Sequence, residues 1–381
     1  MVGPSMMHGN TLEDIKTRLR DRALALGFQG IGVARGPIDG AEARLEAWLA
    51  AGHHGDMDWM ARHGRKRSRP GLLVPGTVRV ISARMDYLPH ANDALDTLET
   101  PEAAFIARYA LGRDYHKLLR RRLQQLASGL EAEIGTFGYR VFVDSAPVLE
   151  KPIAQAAGLG WIGKHTLLIN RSAGSWFFLG EIYTDLPLPV DTPASDHCGS
   201  CQACLDICPT AAIIAPYQLD ARRCIAYLTI EHQGSIPEAL RPLIGNRVFG
   251  CDDCQLVCPW NKFARESAEA DFAPRHGLDA CSLIALFTLD ETAFMRITEG
   301  SAIRRLGHER WLRNLAVGLG NAGHSPAVVA ALQTHAEHPS ALVREHVAWA
   351  LHRQSNQPRE TSMLSISRAG PSRAAASTTR S

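Results

Sequence analysis

Eight of the nine cysteines of this chain lie between residues 198 and 258, and their spacing restricts the fold more than any other feature. The first run reads Cys198-x2-Cys201-x2-Cys204-x3-Cys208-Pro209. This is ferredoxin spacing, in which three thiolates of a run hold one 4Fe–4S cluster and the fourth reaches a second cluster. The x2 steps let one loop wrap three corners of a cubane, and the x3-Cys-Pro step leads the chain away. The second run, Cys251-x2-Cys254-x3-Cys258-Pro259, lacks its first cysteine, because Val248 stands where one is expected. Cys224 is the nearby spare. The crossover then assigns Cys198, Cys201, Cys204 and Cys258 to cluster one, and Cys208, Cys224, Cys251 and Cys254 to cluster two. Structural zinc and disulfides are the rival uses of these thiols. Zinc prefers paired Cys-x2-Cys knuckles without a Cys-Pro crossover. Cys281 lies outside the pattern and reads as a buried or free thiol.

Disulfides are uncommon in the cytoplasm, and the chain reads as cytoplasmic. Met1 to Leu19 has no apolar core of a leader and no twin arginine, and no apolar run approaches membrane length. The length of 381 residues suggests two or three domains. The formal charge is only +2, and the tail from Gln354 carries four Arg against one Glu. The remainder is therefore close to neutral, so a site for a polyanion must be a local patch. Three basic stretches qualify: Arg62, Arg65, Lys66, Arg67 and Arg69; Lys117, Arg120, Arg121 and Arg122; Arg304, Arg305, Arg310 and Arg313. Each reads equally well as a solvated face.

The periodicity predicts a helix from Thr11 to about Gly27, with Thr11 and Asp14 as a capping box, then a strand over Gln29 to Ala34. Further strands are expected at Val78 to Ala83, Tyr139 to Asp144, Leu167 to Asn170 and Trp176 to Thr184. A long basic helix is expected from Tyr115 to about Ile134. Strands alternating with helices give an α+β class with an α/β-type first domain over 1–192. A ferredoxin-like module should follow over 193–280. Paired apolar helical patterns over 281–353 suggest a HEAT-like region, with a plain helical bundle as the alternative. The tail over 354–381 is expected to be disordered. Gly158-Leu159-Gly160-Trp161-Ile162-Gly163 has Gly-x-Gly-x-x-Gly spacing but is not read as a dinucleotide fingerprint. Electrons from the clusters must therefore pass to a second cofactor or a partner.

Several longer segments resemble one family. They are Arg108-Tyr109-Ala110 with Gly112-Arg113-Asp114-Tyr115-His116, and Asp144-Ser145-Ala146-Pro147-Val148-Leu149-Glu150-Lys151. Gly158-Leu159-Gly160-Trp161-Ile162-Gly163-Lys164, the stretch Arg223 to Glu231 and the stretch Gly250 to Asn261 belong to the same set. Together they resemble the epoxyqueuosine reductases, in the family's order, over roughly residues 10 to 353. Position 165 is His where the family commonly has Asn, and the tail after Arg353 has no counterpart.

The resemblance implies a cobalamin-binding domain related to reductive dehalogenases, a two-cluster ferredoxin-like insert and a HEAT-like end. It implies reduction of the epoxide of epoxyqueuosine to queuosine at the wobble position of tRNAs for Tyr, His, Asn and Asp, through cob(I)alamin fed by the clusters. Loss of the epoxide oxygen as water takes two electrons and two protons. By resemblance Asp144 is the proton donor, which would call for a raised pKa from apolar burial. By the same resemblance Arg67, Arg108, Trp161, Lys164, His165, Leu168 and Leu179 join Asp144 around the cobalamin. Lys117, Arg120, Arg121, Arg304 and Arg305 would grip tRNA phosphates. No Asp-x-His-x-x-Gly motif is present, so no histidine is expected to reach cobalt from below, and His165, His53 and His54 read as packing or hydrogen-bonding residues. The implied partners are tRNA and an electron donor of flavodoxin or ferredoxin type, with no membrane and a monomeric chain. Two rivals share parts of the pattern. A reductive dehalogenase would carry an export signal and lack the helical end, and a simple ferredoxin-type carrier would not need the first domain.

Overall fold

The computed structural model describes residues 11–356. The first helix, α1 (Leu12–Ala25), opens on the expected capping box. The Asp14 amide donates to Thr11 Oγ1 at 3.1 Å, and the Thr11 amide donates to Asp14 Oδ2 at 3.0 Å. The reciprocal pair satisfies two amides that a helix start otherwise leaves open. Strand β1 (Gly30–Ala34) follows, then β2 (Arg79–Asp86), helix α2 (Tyr115–Ile134), β3 (Tyr139–Val143), a short helix α3 (Glu150–Ala156) and β4 (Phe177–Thr184). The strands form one sheet in the order β1-β2-β4-β3, and every pairing is antiparallel. The sheet is thus of α+β rather than parallel α/β type. Helices alternate with strands along the chain, but they do not serve as parallel crossovers.

All eight residues of β4 are buried. The strand is central in the sheet, and helices cover both faces. On one face Ile15, Leu19 and Ala23 of α1 and Leu119, Leu123 and Leu126 of α2 join Val33, Ile81, Phe178 and Ile182. On the other face α3 packs on β1, β2 and β4. Gly32 in β1 is required there, because any Cβ would collide with the Ala157 carbonyl at the end of α3.

The cysteine segment is knitted into this body. Arg247–Phe249 pairs in parallel with Phe105–Ile106. Helix α4 (Ile225–Ile230) docks on α5 (His308–Asn321), whose Asn314 amide donates to Thr229 O and Val248 O at 2.8 and 2.9 Å. Helices α6 (Pro326–Gln333) and α7 (Ala341–Asn356) complete a packed group with α5. Their core is continuous with Ala104, Ile106, Leu111, Val248 and Phe249. Helix α7 runs three residues past the expected boundary at 353. Gln354 is buried, and its amide donates to Leu319 O and Ala322 O, so the side chain closes the C-terminal end of α5. The expected tail therefore cannot begin at 354, and 357–381 lie outside the described residues. Among the described residues no helix is long and apolar enough to cross a membrane.

Candidate active site

Two cavities flank the hairpin made by Trp161–Ile162 and Leu168–Ile169. The larger, of about 1020 Å³, is lined by Lys164 and His165 on one side and by Cys198, Cys201, Cys204 and Cys258 on the other. It lies at the upper end of the range of about 300–1,000 Å³ usual for small-molecule sites, so a large cofactor can be accommodated. The four cysteines at its wall come from both runs and are those assigned to cluster one. Burial, then Cys258, Cys198 and Cys201 beside it, pushes the Cys204 thiol up to about 11. Crowded thiols of this kind need a cationic centre to ionise together, which the irons of a cluster supply. Burial also raises the Cys224 thiol, with Cys208 adding to it, and the Cys254 thiol, with Cys224 adding to it. Cys224 therefore lies within reach of the charges of Cys208 and Cys254, although among the described residues no three such side chains converge as on a metal ion. The Cys251 thiol instead donates to Asp253, which Arg247 holds. Cys281 donates to Gly277 O at 3.0 Å, away from both groups.

The smaller cavity, of about 130 Å³, is lined by Asp144, Tyr115, Glu150, Lys151, Leu168 and Leu179, among others. Strand β3 ends at Val143 and delivers Asp144 to its rim. Helix α2 begins opposite, with Asp114 as N-cap accepting from the His116 amide. Its first turn presents Tyr115 and His116 to Asp144. The Tyr115 hydroxyl donates to Asp144 Oδ2. His116 Nε2 lies 2.5 Å from Asp144 Oδ1, and its Nδ1 lies 2.6 Å from Asp114 Oδ1. Burial disfavours charge on His116, but the hydrogen bonds to Asp114 and Asp144 outweigh it and push its pKa up to about 9. The imidazolium thus persists at neutral pH and donates to both carboxylates. Arg305 anchors the far side of Asp114 at 3.1 Å.

This differs from the apolar burial expected for Asp144. Its side chain is 35% exposed, and hydrogen-bond donors rather than apolar groups face its oxygens. The proton is held next door, on His116. Sequence reasoning assigned no role to Asp114, Tyr115 or His116, although the three are consecutive in a quoted motif. It also missed Glu150, Lys151 and Glu181. Glu181 could have been noticed as a lone acid in the apolar strand Phe177 to Thr184. It is wholly buried, and neither of its oxygens has a hydrogen-bond partner of good geometry. An unsatisfied buried polar group costs about 1–3 kcal/mol, so its retention calls for a reason.

The other expected cobalamin contacts divide. Leu168 and Leu179 line the Asp144 cavity, and Lys164 and His165 line the larger one. The Lys164 ammonium donates to Gly199 O and Cys201 O at 2.7 and 2.8 Å and so fixes the cysteine loop. Burial lowers the His165 pKa to about 4, with Lys151 adding to it. The neutral ring accepts from the Leu167 amide at Nδ1 and has no partner at Nε2. Trp161 is buried edge-on against Trp260 and His197, with both centroids at 5.0 Å. Arg67 is buried and donates to Met60 O and Trp59 O, so its charge serves the local backbone. Arg108 lines a separate small cavity with Asp279.

Of the basic residues, Lys117, Arg120, Arg121, Arg304 and Arg305 are exposed. Besides the buried Arg67, four others are not open to a polyanion as expected. Arg313 is buried and bonded to Leu228 O, His232 O and Gly234 O. Arg310 binds three carbonyls, Arg122 pairs with Glu269, and Arg69 with Glu42. A guanidinium committed to buried acceptors cannot be spent on phosphate without unpairing them.

A family model described as a 4Fe–4S double cluster binding domain matches residues 197–261. A second, described as epoxyqueuosine reductase QueG (DUF1730), matches residues 67–145. An epoxyqueuosine reductase of Pseudomonas aeruginosa is 64% identical over 337 residues, covering 88% of this chain and 93% of its own. The chain belongs to the epoxyqueuosine reductase family. A crystal structure of an epoxyqueuosine reductase with an epoxyqueuosine-modified tRNA-Tyr stem loop superposes with a TM-score of 0.83 at 28% identity, covering 90% of this chain and 91% of that one. A Bacillus subtilis epoxyqueuosine reductase whose catalytic aspartate loop is swung out of the active site gives a TM-score of 0.81, with the same identity and coverage. In this epoxyqueuosine reductase family member Asp144 stands just after β3, an edge strand of the sheet.

Proposed function

We propose that this chain reduces the epoxide of epoxyqueuosine to the alkene of queuosine at the wobble position of tRNA, the tRNAs for Tyr, His, Asn and Asp being its substrates. The observation that carries the reading is the Asp144–His116–Asp114 chain, which brings a protonated imidazole to a half-exposed carboxylate at a cavity rim. Membership of the family supplies the substrate class.

The ligand sets are Cys198, Cys201, Cys204 and Cys258 for one 4Fe–4S cluster and Cys208, Cys224, Cys251 and Cys254 for the other. The clusters, when bound, supply electrons singly, and cobalamin, when bound, supplies the strongly reducing centre that an epoxide requires. Lys164, His165 and Trp161 would hold the corrin side of the larger cavity, with Leu168 and Leu179 behind it. Arg67 would act through the backbone it orders, and Arg108 would contribute its charge from the neighbouring small cavity. The chain's own chemistry is proton delivery. Asp144 passes to the leaving epoxide oxygen a proton that it takes from His116 Nε2, and Tyr115 fixes the carboxylate plane. Asp114, held by Arg305, keeps the imidazole charged. Lys117, Arg120, Arg121, Arg304 and Arg305 would neutralise tRNA phosphates around an unstacked anticodon base.

Residues 1–192, 193–280 and 281–353 divide these roles as cofactor site, cluster module and a HEAT-like tRNA-facing end. A cytoplasmic monomer taking electrons from a flavodoxin or ferredoxin suits the reading. The test is mass spectrometry of tRNA nucleosides after anaerobic incubation with cobalamin and reductant. Conversion of epoxyqueuosine to queuosine is expected. Unchanged epoxyqueuosine with verified clusters and bound cobalamin overturns the reading.

A further inference from the structure

Loss of an epoxide oxygen as water breaks two C–O bonds and consumes two electrons and two protons. The clusters account for the electrons. One proton leaves His116 through Asp144. A second must reach the same oxygen.

Behind Asp144 stand two more carboxylates. Glu150 opens α3 and lines the same cavity as Asp144. Glu181 lies in register with Ser82 of β2 and Phe142 of β3. Register partners and alternate residues share a face of a sheet. Leu179, two residues before Glu181, is in the cavity wall. Glu181 therefore sits on the α3 side of the sheet, one side-chain layer deeper than the cavity. Glu150 Oε2 and both Glu181 oxygens lack partners. A wholly buried carboxylate with no hydrogen bond of good geometry is costly to ionise, so Glu181 carries a proton, and the open Oε2 of Glu150 favours the protonated form there as well.

We propose that Glu181 and Glu150 form a buried proton store that reloads Asp144, so that the second proton of the reduction comes from inside the sheet. Burial, then the charge of Asp144, pushes Glu150 up to about 7. Burial, then Glu150 and Asp144, raises Glu181 well above the carboxylate range, with Ser82 alone opposing. The groups facing the pair are Asp144, His116, Lys151 and Tyr115 around Glu150, and Glu150, Asp144, Ser82 and Tyr183 around Glu181. Lys151, itself buried, favours the ionised form of Glu150. The outer member thus releases its proton more readily than the inner one, so Glu150 is the immediate donor to Asp144 and Glu181 the more tightly held reserve, and the drive comes from the basic oxygen leaving the substrate. The cavity has room for water to carry the proton across. The destination of the proton rests on the reductase reading; the existence of the store does not.

Infrared spectroscopy of the full, cluster- and cobalamin-loaded protein, without substrate, reads the store directly. The wild type should show a protonated carboxylic acid band at neutral pH, with one component fading near pH 7. Glu150→Gln should remove that component, and Glu181→Gln the persistent one. In turnover Glu181→Gln should lower kcat about tenfold to a hundredfold, keep KM, and shift the pH profile of kcat, with Glu181→Asp restoring part of it. Should Glu181→Gln fail to load clusters, Glu181→Leu removes the unpaired polar group and is expected to load them and show the same kcat loss. A wild type without the acid band, or variants with an unaltered pH profile, overturns the proposal. A wild type that shows the bands yet leaves epoxyqueuosine unreduced overturns the reductase reading and the proton's destination, with the protonated pair left standing.

Discussion

The two cavities on either side of the Trp161–Ile169 hairpin differ in what they can supply. The larger is walled by four thiols of the cysteine runs and by Lys164 and His165. The smaller gathers Asp144, Tyr115, Glu150 and Lys151 in an eighth of the volume or so. On the proposed reading one is an electron side and the other a proton side. Electrons need only proximity between redox centres, so that side is roomy, and its cysteines come from loops and one short helical turn. Protons need hydrogen-bond contact, so the other side is tight and built on a strand end and a helix start. Keeping them apart lets the charge of the cysteine module and the charge of His116 be set independently.

The comparison breaks most sharply at the cysteines. Cys224→Ser should leave cluster one intact and lose cluster two, halving the iron bound and abolishing turnover, as Mössbauer and iron analysis would read. Retention of both clusters would mean that the ligand sets are wrong. Asp144→Asn should keep both clusters and cobalamin and lower kcat by about 10²–10⁴. A full kcat there would remove the proton side altogether. His116→Gln should cost less, about tenfold to a hundredfold, because Asp144 can still be reloaded from water. Its signature is loss of any kcat limb near pH 9.

A smaller effect is expected on stability. The folded pKa of His116 is raised, so its contribution is complete below the unfolded value of about 6.5 and fades as pH rises through about 9. Thermal melts of wild type should fall across that window, and those of His116→Gln should fall less. Smallest is Arg305→Ala, which should reduce the salt slope of tRNA affinity by about one unit if Arg305 neutralises one phosphate. It should also raise the His116 pKa slightly, because a nearby cation is lost and the Asp114 charge is left to the imidazole.

Much of the electron side was legible in the residues. Thiol spacing over a few positions dictates which corners one loop can reach, whatever the rest of the chain does. The helix Tyr115–Ile134 and the strand Tyr139–Val143 were equally readable, since periodicity and capping are local. The basic stretches misled, because sequence shows charge but not who is bound to it. Arg313 looks like a phosphate grip and is a buried strut.

The sequence by itself therefore determined the two cysteine runs, the spare Cys224 and the elements that carry Asp144. It also held Asp144 as an acid by resemblance, while leaving its surroundings as an expectation. Only the tertiary structure decided what Asp144 touches. The sheet order β1-β2-β4-β3 puts Glu181 beside β3 and brings α3 over both, and α2 sets His116 against a residue 28 positions later. Those meetings depend on chain closure and packing of distant segments, and no local pattern encodes them.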